Sequence, residues 1–128
     1  MLNKKILVIE DEDSIRKTFL LVLNKKYKIF AARDGKEAMQ RVRTLKPDLV
    51  IVDLKLPDTS GLDLVARLRE TGYLGEAILI SAFPDLVDIA ELTRRRIGHF
   101  FVKPLDLDAL LRSIDILLTP KGNLEKPL

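Results

Sequence analysis

The sequence predicts an α/β domain in which helices cover both faces of an open, five-stranded parallel sheet. Short apolar runs alternate five times with stretches of helical spacing along the 128 residues. The apolar runs are continuous, as in strands that are buried on both faces. Because each run is followed by a helical stretch, we expect parallel strands joined by right-handed crossovers.

Five short runs of branched and aromatic side chains predict the strands. They cover residues 6–9, 27–31, 49–52, 77–80 and 100–102. Side chains of these types favour strands because they pack well on a pleated surface. No apolar run exceeds about six residues, whereas a membrane-spanning helix needs roughly 20. We therefore expect no membrane span.

The five stretches that follow these runs each carry an apolar face with helical periodicity. In the fourth stretch, the face expected to point inward consists of Leu86, Ile89, Ala90 and Thr93. Residues that commonly cap helix N-termini occur at four helix starts, namely Ser14, Asp34, Ser60 and Asp106. Residues 1–119 are expected to form one domain, with residues 120–128 as a tail or the start of a linker.

The composition excludes several classes of protein. Hydrophobic residues make up 47% and charged residues 32% of the chain, which is typical of globular rather than disordered proteins. The absence of cysteine excludes disulfides and thiolate metal sites. The net charge of +3 is spread among acids, so we expect no direct contact with nucleic acid. The N-terminus lacks the pattern of a signal peptide, which favours a cytoplasmic location.

Polar side chains follow four of the five predicted strands at the point where each strand ends. In an open parallel sheet these carboxyl ends meet at one edge, where ligands bind. The residues expected there are Glu10 and Asp11 after the first strand, Asp53 after the third, Ser81 and Ala82 after the fourth, and Lys103 after the fifth. Single acids often cap helices, and a single lysine before proline is often only solvated. The signal is therefore the convergence of the set.

Three carboxylates at one sheet edge indicate a metal site. Those of Glu10, Asp11 and Asp53 repel one another unless a cation lies between them. Hard oxygen ligands suit Mg²⁺, or Mn²⁺ in its place, and Mg²⁺ often binds a phosphate as well.

The same edge carries the groups that phosphoryl transfer requires. The carboxylate of Asp53 is a competent nucleophile, which would form an aspartyl-phosphate. The transferred group needs positive charge at its oxygens, which a metal ion and Lys103 would supply. Ser81 would donate a hydrogen bond to a phosphoryl oxygen, and the small side chain of Ala82 would leave room for that group.

With these residues in place, the chain resembles the receiver domain of two-component response regulators. The matching stretches are ILVIEDED, PDLVIVDLKLPDTSG, ILISAF and FFVKP, and the resemblance covers about residues 4 to 119. Pro57 and Gly61 follow Asp53 by four and eight residues, as in that family. The resemblance implies a flavodoxin-like sheet with strand order 2-1-3-4-5.

The resemblance also implies a role for each matching residue. Asp53 would be the phosphorylation site, Ser81 and Lys103 would contact the phosphoryl group, and Phe100 would be the switch aromatic whose rotamer follows Ser81. The implied metal ligands are the side chains of Glu10, Asp11 and Asp53 and the backbone carbonyl of Lys55. A sensor histidine kinase would be the phosphodonor. The chain would then be a signalling switch with self-catalysed chemistry only, rather than an enzyme that turns over an outside substrate.

The sequence departs from the family's usual pattern at several positions. Glu10 replaces the commoner aspartate, and its longer side chain is still expected to reach the metal. Residues 96–97 are Arg-Ile where Gly-Ala is frequent, which predicts an unusual turn before the fifth strand. Lys55 and Phe83 occupy the positions that overhang the phosphoryl group in the family. We hypothesise that Phe83 limits water access and that Lys55 adds positive charge, so that the phosphorylated form is long-lived.

The basic run at residues 94–96 has two interpretations. Cations at the end of a helix complement its dipole. Alternatively, the run pairs with Asp106, Asp108 or Asp115 of a second copy in a phosphorylation-dependent homodimer. The surface of that homodimer would comprise the fourth helix, fifth strand and fifth helix. His99 is the only histidine, so it predicts no metal site.

Other functions on this fold fit the sequence less well. A phosphatase of the haloacid dehalogenase type needs a general acid two residues after its nucleophile, where this chain has Lys55. A dinucleotide binder needs Gly-x-Gly-x-x-Gly after the first strand, where this chain has acids that would repel a pyrophosphate. The output stays open. The chain is either a stand-alone regulator that acts by protein contact or, as we slightly favour, the receiver part of a longer protein with an output domain.

Overall fold

A computed structural model describes residues 3–119 and shows five strands that alternate with five α-helices. In chain order these are β1 (Lys5–Ile9), α1 (Asp13–Leu23), β2 (Lys28–Ala32), α2 (Gly35–Leu45), β3 (Leu49–Asp53), α3 (Gly61–Glu70), β4 (Glu76–Ser81), α4 (Ile89–Arg94), β5 (His99–Val102) and α5 (Leu107–Leu118). Within the described range, no helix has the length and hydropathy that a membrane span requires. The predicted tail, residues 120–128, lies outside the described residues.

All five strands are parallel and follow the order β2-β1-β3-β4-β5, which confirms the predicted fold class. Side chains of the central strands point alternately to the two faces. Leu7 and Ile9 belong to the cluster under α2 and α3, whereas Ile6 and Val8 belong to the cluster under α1 and α5. Because β1 and β3 are neighbours, their carboxyl ends meet at the centre of one sheet edge.

Three of the four predicted helix caps are confirmed. The side chains of Asp34, Ser60 and Asp106 accept hydrogen bonds from first-turn N–H groups of α2, α3 and α5, respectively. The prediction for Ser14 is wrong, because α1 begins at Asp13 and Ser14 lies inside its first turn. The N-cap is Glu12, whose backbone N–H donates to the Glu10 carboxylate at 3.1 Å. This hydrogen bond, rather than one accepted by the side chain of the N-cap residue, therefore marks the start of α1.

The fourth helix differs most from the prediction. α4 has only six residues, and Pro84–Leu86 forms a separate 3₁₀ turn before it. The predicted inward face is wrong, because all four of its residues are exposed: Leu86, Ile89, Ala90 and Thr93. The half-buried side chains that pack against the sheet are Val87 and Leu92 instead. One helical periodicity does not run through both segments, so the spacing of apolar residues was misleading here.

The turn before β5 is unusual, as residues 96–97 predicted. Arg96 has φ of 55°, in the left-handed region that favours glycine. The side chain of Arg69 on α3 holds this turn, because its Nε and Nη2 donate to the carbonyls of Arg95 and Arg96 at 3.1 and 2.8 Å. Ile97 is buried, and its N–H donates to the carbonyl of Leu92 at 2.9 Å. These contacts give an arginine a backbone conformation that it rarely adopts alone.

Candidate functional site

Three carboxylates meet at the carboxyl edge of the sheet, as the sequence predicted. One oxygen from each of Glu10, Asp11 and Asp53 lies within 4.8 Å of the others. Glu10 is 0% exposed and Asp53 is 6% exposed, whereas Asp11 is exposed. Oxygen ligands at this spacing fit a small hard cation such as Mg²⁺. The donor set therefore suits the metal, with Asp11 on the side that solvent reaches.

The ammonium group of Lys103 links the carboxylate that follows β1 to the one that ends β3. Its Nζ lies 2.9 Å from Glu10 Oε1, 3.3 Å from Asp53 Oδ2 and 3.9 Å from Glu12 Oε1. The backbone N–H of Lys103 donates to the carbonyl of Ser81 at 2.8 Å, which ties the end of β5 to the end of β4. One lysine faces several carboxylates, so the pocket keeps an excess of negative charge that favours a further cation.

Burial alters the proton equilibria of Glu10 and Lys103. Desolvation raises the pKa of Glu10 to about 7, although hydrogen bonds from Lys103 and from the Glu12 N–H oppose the shift. Desolvation alone would lower the pKa of Lys103, but the hydrogen bond to Glu10 and the charges of Glu10 and Asp53 raise it. Lys103 therefore stays charged, and it is a fixed cation beside the Asp53 carboxylate.

The structure explains why the residue eight positions after Asp53, Gly61, is a glycine. A Cβ on Gly61 would collide with the carbonyl oxygen of Asp53 and would lie 3.0 Å from Val52 Cγ1. The N–H of Gly61 donates to the carbonyl of Leu54 at 2.6 Å. The start of α3 thus packs directly against the backbone of the residue that carries the central carboxylate. Only glycine allows that approach.

Ser81 is fully buried at the end of β4. Its Oγ accepts a hydrogen bond from the backbone N–H of Phe83 at 2.8 Å, so the hydroxyl proton is free to point elsewhere. Ala82, between them, is exposed. Ser81 and Asp53 end neighbouring strands, since Asp53 pairs with Ile80 in the β3–β4 register. The hydroxyl and the carboxylate therefore belong to the same sheet edge.

Lys55 and Phe83 form a contact above this edge that the sequence did not specify. The Lys55 Nζ lies 4.1 Å from the centroid of the Phe83 ring, a cation–π distance. Lys55 follows β3 and Phe83 follows β4, so the pair bridges two loops. Phe83 is 46% exposed, which is a large fraction for a phenylalanine. Lys55 also forms a single β-bridge with Ser60, which orders the loop after Asp53.

Phe100 lies on β5 opposite Leu79 and packs, half-buried, against the cluster under α2 and α3. Val87 and Leu92, which flank or belong to α4, pack against the same cluster. The side chain is therefore between a buried core and the α4 region.

Two residues near the site were missed in the sequence. Arg16 Nη1 donates to the carbonyl of Glu10 at 2.8 Å, and nothing in the spacing of α1 marks this contact. Asp58, next to Pro57, accepts from the N–H groups of Gly35 and Lys36 at 2.8 and 3.0 Å. These bonds lower the pKa of Asp58 below its usual value, that from Gly35 having the largest effect. The sequence predicts a turn where an acid follows a proline in a loop. It does not predict that the Asp58 side chain contacts the start of α2.

The acids named for a homodimer are partly engaged within the chain. Asp106 caps α5, and Asp115 accepts a hydrogen bond from Tyr27 and an ion pair from Lys26 at 3.0 Å. Arg94 and Arg95 both contact the carboxylate of Glu91. Of the three acids, Asp108 is the one whose side chain has no such partner among residues 3–119.

A five-stranded parallel sheet in this order, with a lysine in an acidic pocket at its carboxyl edge, defines the receiver class of α/β domains. Sequence comparison agrees, because the family model described as "Response regulator receiver domain" matches residues 6–115. The chain belongs to that family. It is therefore a domain of two-component signalling, in which phosphorylation controls the output, and its acidic pocket fits Mg²⁺.

Characterised relatives include both short and long proteins. The chain is 32% identical to sporulation initiation phosphotransferase F of Bacillus subtilis over 96% of this chain and 100% of the relative. It is 35% identical to the alkaline phosphatase synthesis transcriptional regulatory protein PhoP of the same organism, over 68% of this chain and 37% of that protein. The chain thus spans the whole of one relative and less than half of the other.

Solved structures confirm the fold. The signal receiver domain of a LuxO repressor protein from Vibrio parahaemolyticus has a TM-score of 0.84 at 27% identity, covering 98% of this chain and 100% of that one. The response regulator TrrA from Thermotoga maritima, solved in complex with Mg²⁺ and BeF, has a TM-score of 0.80 at 29% identity, covering 90% and 99%.

Proposed function

We propose that the chain is a switch that accepts a phosphoryl group on Asp53 from a sensor histidine kinase. The observation that carries the proposal is the position of the Asp53 carboxylate. It lies within 4.8 Å of two other carboxylate oxygens and 3.3 Å from the ammonium group of Lys103. Glu10, Asp11 and Asp53 would hold Mg²⁺ or Mn²⁺ together with the backbone carbonyl of Lys55. The bound ion would neutralise charge on the transferred group.

The proposed reaction forms an acyl phosphate. An oxygen of Asp53 attacks the phosphorus of the donor phosphohistidine, a P–O bond forms, and the P–N bond breaks. The electron pair of the broken bond stays on the donor imidazole. Lys103 balances the charge on the equatorial oxygens and remains as a partner of the phosphoryl group. Because the residue two positions after Asp53 is Lys55, no carboxylic acid is present there to make the chain a general phosphatase.

Ser81 and Phe100 would convert the phosphate into a change of surface. Ser81 would donate a hydrogen bond from its buried hydroxyl to a phosphoryl oxygen, and the loop after β4 would move with it. Phe100 would then pack inward and alter the surface of α4, β5 and α5. Moving a population from about 1% to about 99% takes roughly 5.5 kcal/mol of differential stabilisation. Charge-assisted bonds from Ser81 and Lys103 to a dianion are of the required size.

The central proposal is tested by incubating the chain with Mg²⁺ and acetyl phosphate and measuring its intact mass. We expect one phosphoryl adduct in the wild type, no adduct in Asp53→Asn, and a normal adduct in Asp63→Asn. Asp63 is an exposed acid on the neighbouring α3 and serves as the matched control. An adduct that persists in Asp53→Asn would refute the assignment of the acceptor.

The contact between Lys55 and Phe83 supports a proposal about the lifetime of the phosphate. The pair bridges the loops after β3 and β4, where it would cover one side of the phosphoryl group. We expect Phe83→Ala and Lys55→Ala each to speed hydrolysis of the acyl phosphate. Leu86→Ala, which removes another exposed apolar side chain nearby, is the control. If the hydrolysis rates of the wild type and the three variants were the same, Lys55 and Phe83 would not protect the phosphoryl group.

The output is proposed on two grounds that the relatives supply. The full-length match to a short phosphotransferase favours a stand-alone regulator that acts by protein contact. The partial matches to transcriptional regulators favour a receiver unit at residues 1–119 that is joined through residues 120–128 to an output domain. A phosphorylation-dependent homodimer and a cytoplasmic location complete the proposal. Light scattering with and without beryllofluoride tests the homodimer, with Asp108→Asn as the variant expected to abolish it.

A further inference from the structure

A basic cleft lies at the opposite end of the sheet from Asp53, between the C-terminal ends of α3 and α4. Its volume is about 260 Å³, and it is lined by Ala66, Arg69, Arg94, Arg95 and Arg96. Four of the five lining residues are arginines, and within residues 3–119 no carboxylate lines it. We call it the arginine cleft.

Two of the arginines are fixed in the wall of the arginine cleft. Besides the carbonyls of Arg95 and Arg96, Arg69 donates through Nη1 to those of Tyr73 and Gly75 at 3.1 and 2.6 Å. Arg95 Nε donates to the carbonyl of Leu62 at 3.1 Å. These bonds are to neutral carbonyls, so they hold both guanidinium groups in place. They leave the charge of Arg69 uncancelled, whereas Arg95 also pairs with the carboxylate of Glu91.

The other two arginines present charge that the protein balances only in part. Arg94 is 66% exposed at its side chain and shares the carboxylate of Glu91 with Arg95. Arg96 is exposed and forms no ion pair within the described part of the chain. Among the described residues, Glu91 is therefore the one carboxylate that forms an ion pair with any of the four arginines. Burial lowers the pKa of Arg69 and the charge of Arg96 lowers it further, whereas Tyr73 and Glu76 have smaller, opposite effects.

We propose that the arginine cleft binds a small phosphate compound, such as pyrophosphate or a nucleotide, as a second anion site separate from Asp53. A planar guanidinium group offers paired donors that match phosphate oxygens. Arg94 and Arg96 would supply these donors, whereas Arg69, which already donates four hydrogen bonds to carbonyls, would contribute mainly charge. The left-handed turn at Arg96 and the four carbonyl bonds of Arg69 hold this arrangement before any ligand arrives. The arginines surround one compact, concave cleft. They do not form an extended basic stripe along which a nucleic-acid duplex could lie.

The test is a titration of the 128-residue chain with sodium pyrophosphate, without Mg²⁺ and at constant ionic strength. It is followed by NMR of the Arg96 and Ile97 amides and the arginine Nε–Hε signals. We expect saturable shifts at these groups. Arg94→Gln/Arg96→Gln should weaken binding at least about tenfold, since it removes two charge-assisted partners. Arg69 and Arg95 keep their carbonyl bonds in this variant, so the fold is expected to persist.

The control variant Lys17→Gln/Lys25→Gln removes the same charge from exposed positions at α1 and the turn after it, and it should bind as the wild type does. Equal weakening in both double variants would reduce the effect to net charge and overturn the proposal. Shifts confined to Ser81, Ala82 and Lys103 would place the anion at the Asp53 edge and would also overturn it. If a 12-base-pair DNA duplex or polyglutamate bound more tightly than pyrophosphate, the ligand would be a macromolecule and the proposal of a small phosphate compound would be wrong. No phosphodonor is used, so the outcome is independent of phosphorylation at Asp53.

Discussion

Gly61→Ala is the substitution for which the structure gives the most direct magnitude. The new Cβ would collide with the carbonyl oxygen of Asp53 and would lie 3.0 Å from both the Asp53 carbonyl carbon and Val52 Cγ1. A clash with backbone is not relieved by turning a side chain, so the cost is at the upper end of the ~1–3 kcal/mol typical of overpacking. Alanine recovers up to about 1 kcal/mol of helix propensity. The net destabilisation expected is about 2 kcal/mol.

The assay is urea unfolding of the variant beside Gly98→Ala, combined with the rate of phosphorylation by acetyl phosphate. A Cβ on Gly98 would lie 3.1 Å from Leu117 Cδ2, a side-chain atom that can move, and 3.7 Å from the nearest backbone atom. We expect Gly98→Ala to cost less than about 1 kcal/mol. Because the Gly61 clash falls on the backbone of Asp53, its variant should also be phosphorylated more slowly. If the two variants were equally stable and equally reactive, the steric argument would be wrong.

Three further predictions concern hydrogen bonds, pH and the metal. Tyr27→Phe removes the hydrogen bond to Asp115 and should cost about 1 kcal/mol at pH 7 in urea unfolding. Although desolvation of Asp115 raises its pKa, the Tyr27 hydrogen bond and a nearby lysine lower it below the usual 3.8. The stabilisation that comes from this hydrogen bond is present above pH ~4 and is lost as the pH falls through the folded-state pKa of Asp115. The free energies of unfolding of wild type and Tyr27→Phe should therefore converge in acid. Mg²⁺ at tenfold its dissociation constant should stabilise the wild type by about 1.4 kcal/mol in a thermal melt, and Asp11→Asn should abolish most of this gain. Arg69→Gln removes four hydrogen bonds, three of them partly buried, and should cost roughly 2–4 kcal/mol, whereas exposed Arg67→Gln should stay within about 0.5 kcal/mol.

The convergence of Glu10, Asp53, Ser81 and Lys103 was predictable because it depends on topology rather than on side-chain detail. Each residue ends or follows a strand, and parallel strands bring those ends to one edge. The sequence also marked Gly61 by its spacing, although the structure supplies the reason, which is the contact with the Asp53 carbonyl.

The predicted face of the fourth helix failed for a physical reason. Spacing identifies a buried face only when one continuous helix packs along its length. Here a 3₁₀ turn and a six-residue helix divide the segment, and Ile89 is 77% exposed. The exposed apolar side chains lie on the region whose surface is proposed to change on phosphorylation. Contacts with the sheet through Val87 and Leu92 set the orientation of α4, and no local pattern shows them.

The sequence by itself determined the class of fold, the order of its elements and the set of polar groups at one sheet edge, because these follow from local periodicity and from the geometry of parallel strands. Only the tertiary structure decided which atoms meet. It placed Lys103 between Glu10 and Asp53, stacked Lys55 on Phe83, and gathered Arg69 with residues 94–96 around one cleft. Such contacts join residues that are distant in the chain, and their distances depend on packing that no single segment encodes.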